Sequence, residues 1–425
     1  MKLLRAVSRL IVGFTFIFSG FSKIIDPVGV GLIVGEYFKI IGIGSLPLLY
    51  QILGAALSGA ELLLGISVLL GLRMKLSCKV AIIFISVFTG ITLILAIFNP
   101  IQECGCFGEV LKLTNWQTFY KNIILLAFAL LLYFQRDNFI PIAPKYWEWG
   151  FAGVYFLLVV LLSVYSYRYL PLIDFMEYKV GTDISGKLRM EENISEPNFE
   201  TTLVYKRDGK VKEFTINNLP DSTWTFVDSK TKQVSSQPLT TGISFAVSDR
   251  DGNYVTDSIL SINGKLFITS IPYFDRLKAS GLAKIKLIND KLKERGIRYI
   301  ILTGSSPLMI DSLSKDLPNI DIYYTDHKTL LTMNRSNGGL IYLNDATVSA
   351  KWSINNLPVD SFDSVISEDP ELLAAKTRIR EQLAAEVVAV IILLLVAVMR
   401  YICKFAYTHK IIADGNNSES ESKET

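Results

Sequence analysis

Two of the four cysteines stand one residue apart, in the stretch Glu103-Cys104-Gly105-Cys106-Phe107-Gly108. This stretch lies between two long apolar runs, and the other cysteines, Cys78 and Cys403, lie at the opposite ends of apolar runs. A Cys-x-Cys pair can form a disulfide only if the backbone turns enough to bring the Cα atoms within about 7 Å, and Gly105 is the residue most able to turn. The resulting ring is small and strained, which makes a disulfide labile and exchange-prone. The pattern therefore predicts that Cys104 and Cys106 are a catalytic redox pair.

Other interpretations of the cysteine pair stay open. The two thiols could be reduced and inert, could form a structural bridge, or could bind a soft metal such as Cu(I) with further ligands. Positive charge from Lys112 or Lys121 would favour the reactive thiolate, whereas Glu103 and Glu109 would oppose it.

A glutamate inside an apolar run is the second candidate for chemistry. Glu61 lies in Ser58-Gly59-Ala60-Glu61-Leu62-Leu63-Leu64-Gly65. An ionisable residue in a membrane span costs roughly 2.5–3.5 kcal/mol or more and usually faces the bundle interior. Its carboxyl group could relay protons for a quinone-linked step, or it could be a neutral acid hydrogen-bonded to Ser or Thr. Lys23, near the end of the first apolar run, is a possible ion-pair partner of Asp26, Glu36 or Glu61.

Composition indicates a membrane protein. The chain has 425 residues, of which 50% are hydrophobic, and its mean hydropathy is +0.36. The formal net charge of +3 implies no bulk polyanionic partner such as a nucleic acid. Two distant histidines cannot form a His-rich metal cage, so no metal site is predicted.

Six apolar runs are long enough, or nearly long enough, to cross a bilayer, which takes about 20 residues. They are Leu10–Ile25, Leu49–Leu72, Val80–Phe98, Asn122–Phe134, Gly150–Tyr167 and Ala384–Met399. Between the first two runs, Asp26-Pro27 is typical of a helix start, with Asp at the N-cap and Pro at the first helical position. We therefore expect an interfacial or partly re-entrant helix after the first span.

The distribution of Lys and Arg predicts the topology. Basic clusters precede the first span, separate the second from the third and the fourth from the fifth, and follow the sixth. All four clusters fall on one side if both termini are cytoplasmic. The thiol pair and the long region 168–383 are then outside, which suggests a bacterial inner membrane and its periplasm.

The long exterior region contains two kinds of pattern. Residues 169–241 alternate like strands, with Thr202–Tyr205, a turn at Asp208-Gly209, and Val211–Ile216. Residues 242–356 alternate strands and helices in the order β-α-β-α-β-β-β, which resembles a thioredoxin-like fold. The predicted elements are strands at Ile243–Val247, Lys265–Thr269, Tyr299–Leu302, Ile320–Tyr324, Leu340–Leu343 and Thr347–Trp352, and helices at Phe274–Arg295 and Ser306–Leu313.

The exterior domain lacks the active-site elements of thioredoxin relatives. Thr269-Ser270-Ile271-Pro272-Tyr273 stands where Cys-x-x-Cys would be, and the loop Ser336-Asn337-Gly338-Gly339 has no proline. A binding or scaffolding role is therefore expected for this domain.

The predicted fold class is thus a membrane α-helical bundle, consisting of a four-helix unit and two further spans, with an α/β thioredoxin-like soluble domain. The expected segments are a four-helix domain (1–135), a cytoplasmic loop and fifth span (136–168), a β-rich periplasmic segment (169–241), the thioredoxin-like domain (242–356), a linker or helix (357–383), the sixth span (384–403) and a disordered cytoplasmic tail (404–425).

Residues 1–135 resemble the DoxX-like superfamily and, within it, the methylamine-utilisation MauE family. The matching residues are Ser19-Gly20-Phe21-Ser22-Lys23, Asp26-Pro27, Glu61, Cys104-Gly105-Cys106-Phe107-Gly108, and Trp116 with Lys121-Asn122. The exterior region resembles the extension of fused DoxX-type proteins from Bacteroidetes. The resemblance implies a role in disulfide formation or in the maturation of exported proteins, and the large exterior domain argues against a literal methylamine role.

Three functions follow as hypotheses. The first is a thiol–disulfide redox component that exchanges with a periplasmic client or redox protein and passes electrons to or from a membrane quinone. The second is a non-enzymatic scaffold or accessory subunit whose exterior domain docks a partner. The third is a small-solute transporter. It is less favoured because the spans show neither charged pathway residues nor clear inverted repeats.

Overall fold

The structure is a computed structural model that describes residues 2–42, 46–101, 104–139, 145–194, 199–207, 210–215, 224–233, 245–307, 309–310 and 320–421. Within these residues six helices are long and apolar enough to cross a membrane. Each predicted span lies wholly or almost wholly inside one of them.

The membrane part of the chain begins with six helices. They are α1 (Lys2–Ile24), α2 (Pro27–Ile40), α3 (Pro47–Leu70), α4 (Met74–Phe98), α5 (Asn115–Phe134) and α6 (Lys145–Arg168). All of them except α2 qualify as spans, and the sixth span lies in a 52-residue helix, Pro370–Glu421. The expectation of a disordered segment from residue 404 is therefore wrong as far as Glu421. After Pro370 no proline interrupts this helix, so its backbone hydrogen bonds can continue beyond the apolar run.

Helices α1 and α3 pack closely because small residues let their backbones meet. A Cβ atom added at Gly20 would lie 2.4 Å from the backbone nitrogen of Leu62, which leaves no room for a side chain. Leu62 itself packs with Ile24 and Val159, and other buried side chains of α1, α3, α4 and α5 form a second apolar core. Such packing between small residues is a usual way for membrane helices to associate.

Helix α2 begins as the sequence predicts. The Asp26 carboxylate accepts a hydrogen bond from the Gly29 nitrogen at 2.9 Å, and Pro27 occupies the first helical position. Helix α5 begins at a capping box, in which Thr114 accepts from the Gln117 nitrogen and the Gln117 side chain accepts from the Thr114 nitrogen. Both caps fix where the chain enters or leaves the loops that surround the cysteine pair.

The exterior α/β domain contains a five-stranded sheet. Its strands are β4 (Lys265–Ile271), β5 (Arg298–Thr303), β6 (Asp321–Tyr324), β7 (Gly339–Asn344) and β8 (Thr347–Trp352), in the order β6-β5-β4-β7-β8. Strands β4, β5 and β6 are parallel, whereas β7 and β8 are antiparallel to their neighbours. A parallel β-α-β unit followed by an antiparallel hairpin on the other side of its first strand is the topology of a thioredoxin-like sheet.

Helices precede, connect and follow the strands of this sheet. A short helix, α8 (Thr256–Leu260), precedes β4, and α9 (Ala279–Glu294) connects β4 to β5. The helix His327–Met333 connects β6 to β7, and Phe362–Ser367 precedes the long last helix. The core between sheet and helices includes Phe267, Ile285, Leu292, Tyr342 and Phe362.

Several predicted boundaries in this domain were wrong. Phe245–Val247 is not a strand, and residues 243–244 lie outside the described part of the chain. The helix predicted from Phe274 begins at Ala279, because Leu277 and Lys278 are extended after a short 3₁₀ turn. The helix His327–Met333 was missed, since its seven residues are too few to show a periodicity. Of the predicted helix Ser306–Leu313, residues 307, 309 and 310 are helical, and residues 308 and 311–313 lie outside the described part of the chain.

Residues 183–246 form a separate compact unit. It contains a helix, α7 (Ile184–Ile194), and the strands β1 (Phe199–Arg207), β2 (Lys210–Thr215) and β3 (Thr225–Gln233). The strands are antiparallel in the order β2-β1-β3. The first two agree with the predicted hairpin, whose turn at Asp208-Gly209 lies outside the described residues.

Two ion pairs connect α2 to the thioredoxin-like domain. Arg335, which is 1% exposed, binds both carboxylate oxygens of Asp26, with Nη2 at 2.7 Å from Oδ2 and Nε at 3.0 Å from Oδ1. Lys328 binds Glu36 at 2.9 Å, with the lysine side chain 71% exposed. The two pairs cross the same junction but differ in burial.

This difference predicts unequal effects of breaking the two pairs. Arg335→Ala leaves the Asp26 carboxylate nearly buried without its partner, which we expect to cost roughly 3–5 kcal/mol. Lys328→Ala removes an exposed pair that is worth about 0–1 kcal/mol. Thermal unfolding of the detergent-solubilised chain should therefore show a markedly lower Tm for Arg335→Ala alone. Equal Tm values for the two variants would contradict a stabilising role of the buried pair.

Candidate functional site

The two sulfurs of the cysteine pair lie side by side. Cys104 Sγ and Cys106 Sγ are 2.8 Å apart and are not joined by a disulfide bond. The turn between them depends on Gly105, whose φ of +68° is the left-handed conformation expected for this residue. A Cβ atom at Gly105 would also lie 2.6 Å from Ile33 Cδ1, so a larger residue would collide with α2.

Helix α2 covers the cysteine loop. One turn beyond Ile33, the Tyr37 hydroxyl lies 3.0 Å from the Cys104 carbonyl oxygen and 3.6 Å from Cys104 Sγ. The hydroxyl can thus donate to the peptide oxygen or to the sulfur. Burial raises the pKa of Tyr37 above its ordinary value, so the phenol keeps its proton and remains a donor.

The environment separates the acidities of the two thiols. The hydrogen bond from Cys106 lowers the pKa of Cys104 to about 7, against the effect of burial, with further help from Tyr37 and from the charges of Lys121 and Lys23. The pKa of Cys106 is raised well above its ordinary value, because Cys106 is the donor in that hydrogen bond and is buried. Cys104 is therefore the sulfur that carries the thiolate.

The two cysteine residues also differ in exposure. Cys104 is only 6% exposed, whereas Cys106 is intermediate between buried and exposed. The next residue, Phe107, packs on Phe18 with ring centroids 5.3 Å apart, and Lys121 Nζ lies 4.3 Å from the Phe107 ring centroid. The more acidic thiol thus belongs to the less exposed residue.

A polar group inside the bundle adjoins the cysteine loop. The Ser19 hydroxyl lies 2.7 Å from the Cys106 carbonyl oxygen and 2.8 Å from Glu61 Oε2. Because a hydroxyl has one proton, Ser19 donates to one of these oxygens at a time. The same carboxylate oxygen forms an ion pair with Lys23, and both charged side chains are buried.

A small cavity of about 40 Å³ lies beside Ser19, Glu61 and Cys106. Its lining includes Ser19, Glu61, Cys106, Lys121 and Asn122. The structure thus brings together all three predicted catalytic residues, namely Cys104, Cys106 and Glu61.

The predicted ion-pair partners are now resolved. Lys23 binds Glu61, whereas Asp26 binds Arg335 and Glu36 binds Lys328. The serine hydrogen bond proposed for Glu61 is present, but together with the ion pair to Lys23.

Charged contacts hold the far end of the cysteine loop. Arg335 Nη2 lies 3.5 Å from a Glu109 carboxylate oxygen, and Lys112 Nζ lies 2.8 Å from Glu177. Of the two lysines predicted to favour a thiolate, Lys121 does so at Cys104, together with Lys23, whereas Lys112 pairs with Glu177. Glu109 anchors the loop to the exterior domain through Arg335, and Glu103 lies outside the described residues.

Sequence reasoning missed Tyr37 and Arg335. Tyr37 lies on α2, far from the cysteines in the chain, and Arg335 follows a helix that had no clear pattern. The weak signal for Tyr37 was its position on a helix that starts at Asp26-Pro27 and must fold back near the first span.

In the thioredoxin-like domain, hydrogen bonds join residues 269–273 to residues 336–339, the two segments without the usual thiols and proline. Asn337 accepts from the Tyr273 nitrogen at 3.0 Å and donates to the Tyr273 oxygen at 2.8 Å. This contact joins the two segments in which thioredoxin relatives would carry their active site, and Arg335 immediately precedes one of them. Among the described residues, no three His, Cys, Asp or Glu side chains are grouped to hold a metal.

Comparisons with known proteins match separate parts of the chain. Residues 1–135 match the family model described as methylamine utilisation protein MauE, and residues 199–236 match a domain of unknown function, DUF8463. Protein TlpB of Flavobacterium psychrophilum is 28% identical over 141 residues, which cover 31% of this chain and 38% of that protein.

Solved structures match a smaller part of the chain. A thioredoxin-like protein from Aeropyrum pernix is 14% identical and covers 29% of this chain and 88% of its own, with a TM-score of 0.25. BsSco, a member of the Sco family of cytochrome c oxidase assembly proteins, is 16% identical with the same coverage and a TM-score of 0.24. The assignment of the fold rests on the strand order and pairing described above.

The six candidate spans make this chain a multi-pass membrane protein. Its first 135 residues match the MauE family model, and the exterior domain that follows has a thioredoxin-like sheet without the usual thiols.

Proposed function

We propose that the cysteine pair is a disulfide donor for exported proteins. The observation that carries this proposal is the contact of two sulfurs with separated acidities in a loop at the end of the membrane bundle. A disulfide requires the sulfurs to approach from 2.8 Å to about 2.05 Å, which is a small movement.

The exchange begins at Cys106, the less buried of the two residues. A client thiolate attacks Cys106 Sγ of the oxidised pair, the Cys104–Cys106 bond breaks, and Cys104 leaves as the thiolate. A second client thiolate then attacks the client sulfur of the mixed disulfide and releases Cys106, which takes up a proton. The client loses two electrons and gains a disulfide, and the cysteine pair gains both electrons.

The acidities favour this direction. A thiol of low pKa is the better leaving group, and Cys104 has a pKa of about 7. Stabilisation of the thiolate also stabilises the reduced pair, which makes the disulfide more oxidising. The opposite reaction would start from Cys106, whose raised pKa disfavours its thiolate at neutral pH.

A membrane quinone is the class of oxidant that would restore the disulfide. Two electrons and two protons then pass from the two thiols to the quinone, which becomes the quinol. Glu61 is placed to carry a proton in this step, because it lines the same cavity as Cys106 and contacts Ser19. The cavity exceeds the roughly 10–15 Å³ that one water molecule needs, so a water can complete the path.

The exterior domain serves this site as a scaffold. Its thiol-free edge carries Arg335, which contacts both Asp26 and Glu109 around the cysteine loop. In the proposed topology both termini are cytoplasmic, and the cysteine loop and exterior domain face the periplasm of a bacterial inner membrane. The client would then be a periplasmic protein with reduced cysteines.

The first prediction concerns the pH dependence of alkylation. In the reduced chain, the rate of Cys104 modification should rise with pH and reach half of its maximum near pH 7, because the thiolate that reacts predominates above its pKa. Mass spectrometry of iodoacetamide-treated protein at a series of pH values measures this rate.

Two variants serve as controls for the pH profile. Cys106→Ala removes the main donor to the thiolate and should shift the midpoint to higher pH, while Tyr37→Phe should shift it less. A wild-type midpoint near the ordinary thiol pKa of about 8.5 would show that Cys104 is not activated.

The second prediction identifies the sulfur that binds the client. In a chain with Cys78→Ser and Cys403→Ser, the further change Cys104→Ala should accumulate mixed disulfides on Cys106, because the resolving thiol is absent. Cys106→Ala should accumulate fewer, because Cys104 is buried. Non-reducing electrophoresis after acid quenching of cells compares the two.

The outcome distinguishes the alternatives. Adducts that form mainly on Cys104 would reverse the proposed order of attack. No adducts in either variant, with Cys104 and Cys106 always reduced in wild-type cells, would favour a scaffold without thiol exchange.

The third prediction separates a proton-transfer role of Glu61 from a structural one. Glu61→Gln leaves Lys23 buried without its partner, which is destabilising, whereas Lys23→Met with Glu61→Gln removes both charges and should restore stability. If Glu61 carries protons, the double variant should still be reoxidised by quinone roughly 10²-fold more slowly than wild type. Stopped-flow reoxidation in proteoliposomes measures the rate, and recovery of the wild-type rate in the double variant would leave Glu61 a structural role only.

A further inference from the structure

A large cleft lies between the outer end of the membrane helices and the thioredoxin-like domain. Its volume is about 960 Å³. One wall consists of residues of α2, the start of α3 and the end of α6, and the other of residues 273–284, 331–337 and 354–355. It does not include the cysteine pair, so it is separate from the site described above.

The described lining of this cleft is basic and contains no acidic residue. The basic residues are Lys39, Arg168, Arg276, Lys278, Lys284 and Arg335. Arg335 is already bound to Asp26. The other five have no carboxylate within 4.0 Å among the described residues, since none occurs in the ion pairs of that part of the chain.

The contacts of two of these cations keep them at the cleft. Lys284 Nζ donates to the Ile354 carbonyl oxygen at 3.1 Å, and the Arg276 guanidinium lies 4.4 Å from the Tyr273 ring centroid. Neither contact neutralises the charge. A concave surface lined by charge of one sign concentrates counter-ions, so the cleft should bind an anion.

The cleft is also lined by apolar side chains on the side of the membrane helices. Leu48 of α3 and Val164 of α6 line the cleft and are 62% and 51% exposed. Neighbouring side chains on the same helices, such as Ile52 and Leu161, are also largely exposed. Exposed apolar side chains on a membrane-spanning helix face lipid tails. Because Leu48 and Val164 lie near the outer ends of their helices, this side of the cleft adjoins lipid near the headgroups.

We infer that this cleft binds an anionic glycerophospholipid. Its phosphate lies among Lys39, Arg276 and Lys278, and its acyl chains lie along α3 and α6. Basic pockets near the ends of transmembrane helices bind phosphate headgroups by this combination of charge and apolar contact. The lipid would connect the membrane helices to the exterior domain beside the Asp26–Arg335 ion pair.

Native mass spectrometry of the full chain tests this inference. The protein is incubated in detergent with phosphatidylglycerol or with phosphatidylcholine of the same acyl chains. The variant Arg276→Gln with Lys278→Gln removes two charges from the cleft. The matched control Lys286→Gln with Lys293→Gln removes two exposed charges from α9, outside the cleft lining.

We expect wild type and control to retain phosphatidylglycerol and the cleft variant to bind it roughly tenfold more weakly. Equal retention by the cleft variant, or equal retention of phosphatidylcholine by wild type, would overturn the inference. Displacement of the lipid by millimolar inorganic phosphate would show that the cleft takes a free phosphate and not a lipid.

A second measurement applies if the cleft variant does not fold. Photoactivatable phosphatidylglycerol in proteoliposomes of the wild-type chain should label peptides from 28–51, 164–168 or 273–284. Labelling only of other lipid-facing helices would contradict a specific site.

Discussion

The buried ion pair between Asp26 and Arg335 is the contact on which the arrangement of the site depends. Asp26 is also the N-cap of α2, so one carboxylate both starts the helix and binds the exterior domain. Helix α2 in turn covers the cysteine loop through Ile33 and Tyr37. Because Arg335 also approaches Glu109, a single guanidinium restrains both the cover and the loop.

This arrangement gives a physical reason for a thioredoxin-like domain without thiols. In that fold, the edge formed by residues 269–273 and 336–339 would present the reactive cysteines. Here Asn337 closes the edge by binding Tyr273, and the adjacent Arg335 binds the membrane domain. The surface that would present the thiols of that fold is thus used to hold the chain's own cysteine loop.

Much of the fold could be predicted from local patterns, whereas the environment of the sulfurs could not. The spans follow from apolar runs, α2 from Asp26-Pro27, and the turn at Gly105 from the needs of a Cys-x-Cys pair. The strand β8 has the predicted bounds because alternation and turn residues delimit it. Tyr37 and Arg335 escaped prediction because their roles depend on contacts between distant segments, which leave no periodicity. The partner of Lys23 stayed open for the same reason, since three carboxylates were within reach along the chain.

The ion pair between Lys23 and Glu61 and the sulfur pair of the cysteine loop differ in how their surroundings stabilise charge. The ion pair between Lys23 and Glu61 places two charges inside an apolar bundle, where only the close pairing and the Ser19 hydrogen bond offset the loss of hydration. The sulfur pair, by contrast, lies in a loop where the hydrogen bond between the two thiols, with smaller contributions from Tyr37, Lys121 and Lys23, lowers the pKa of Cys104. Ser19 joins the two, because its hydroxyl contacts both Glu61 and the Cys106 peptide oxygen. A change of charge at Glu61 would therefore alter the hydrogen bonding of the cysteine loop without any movement of a helix.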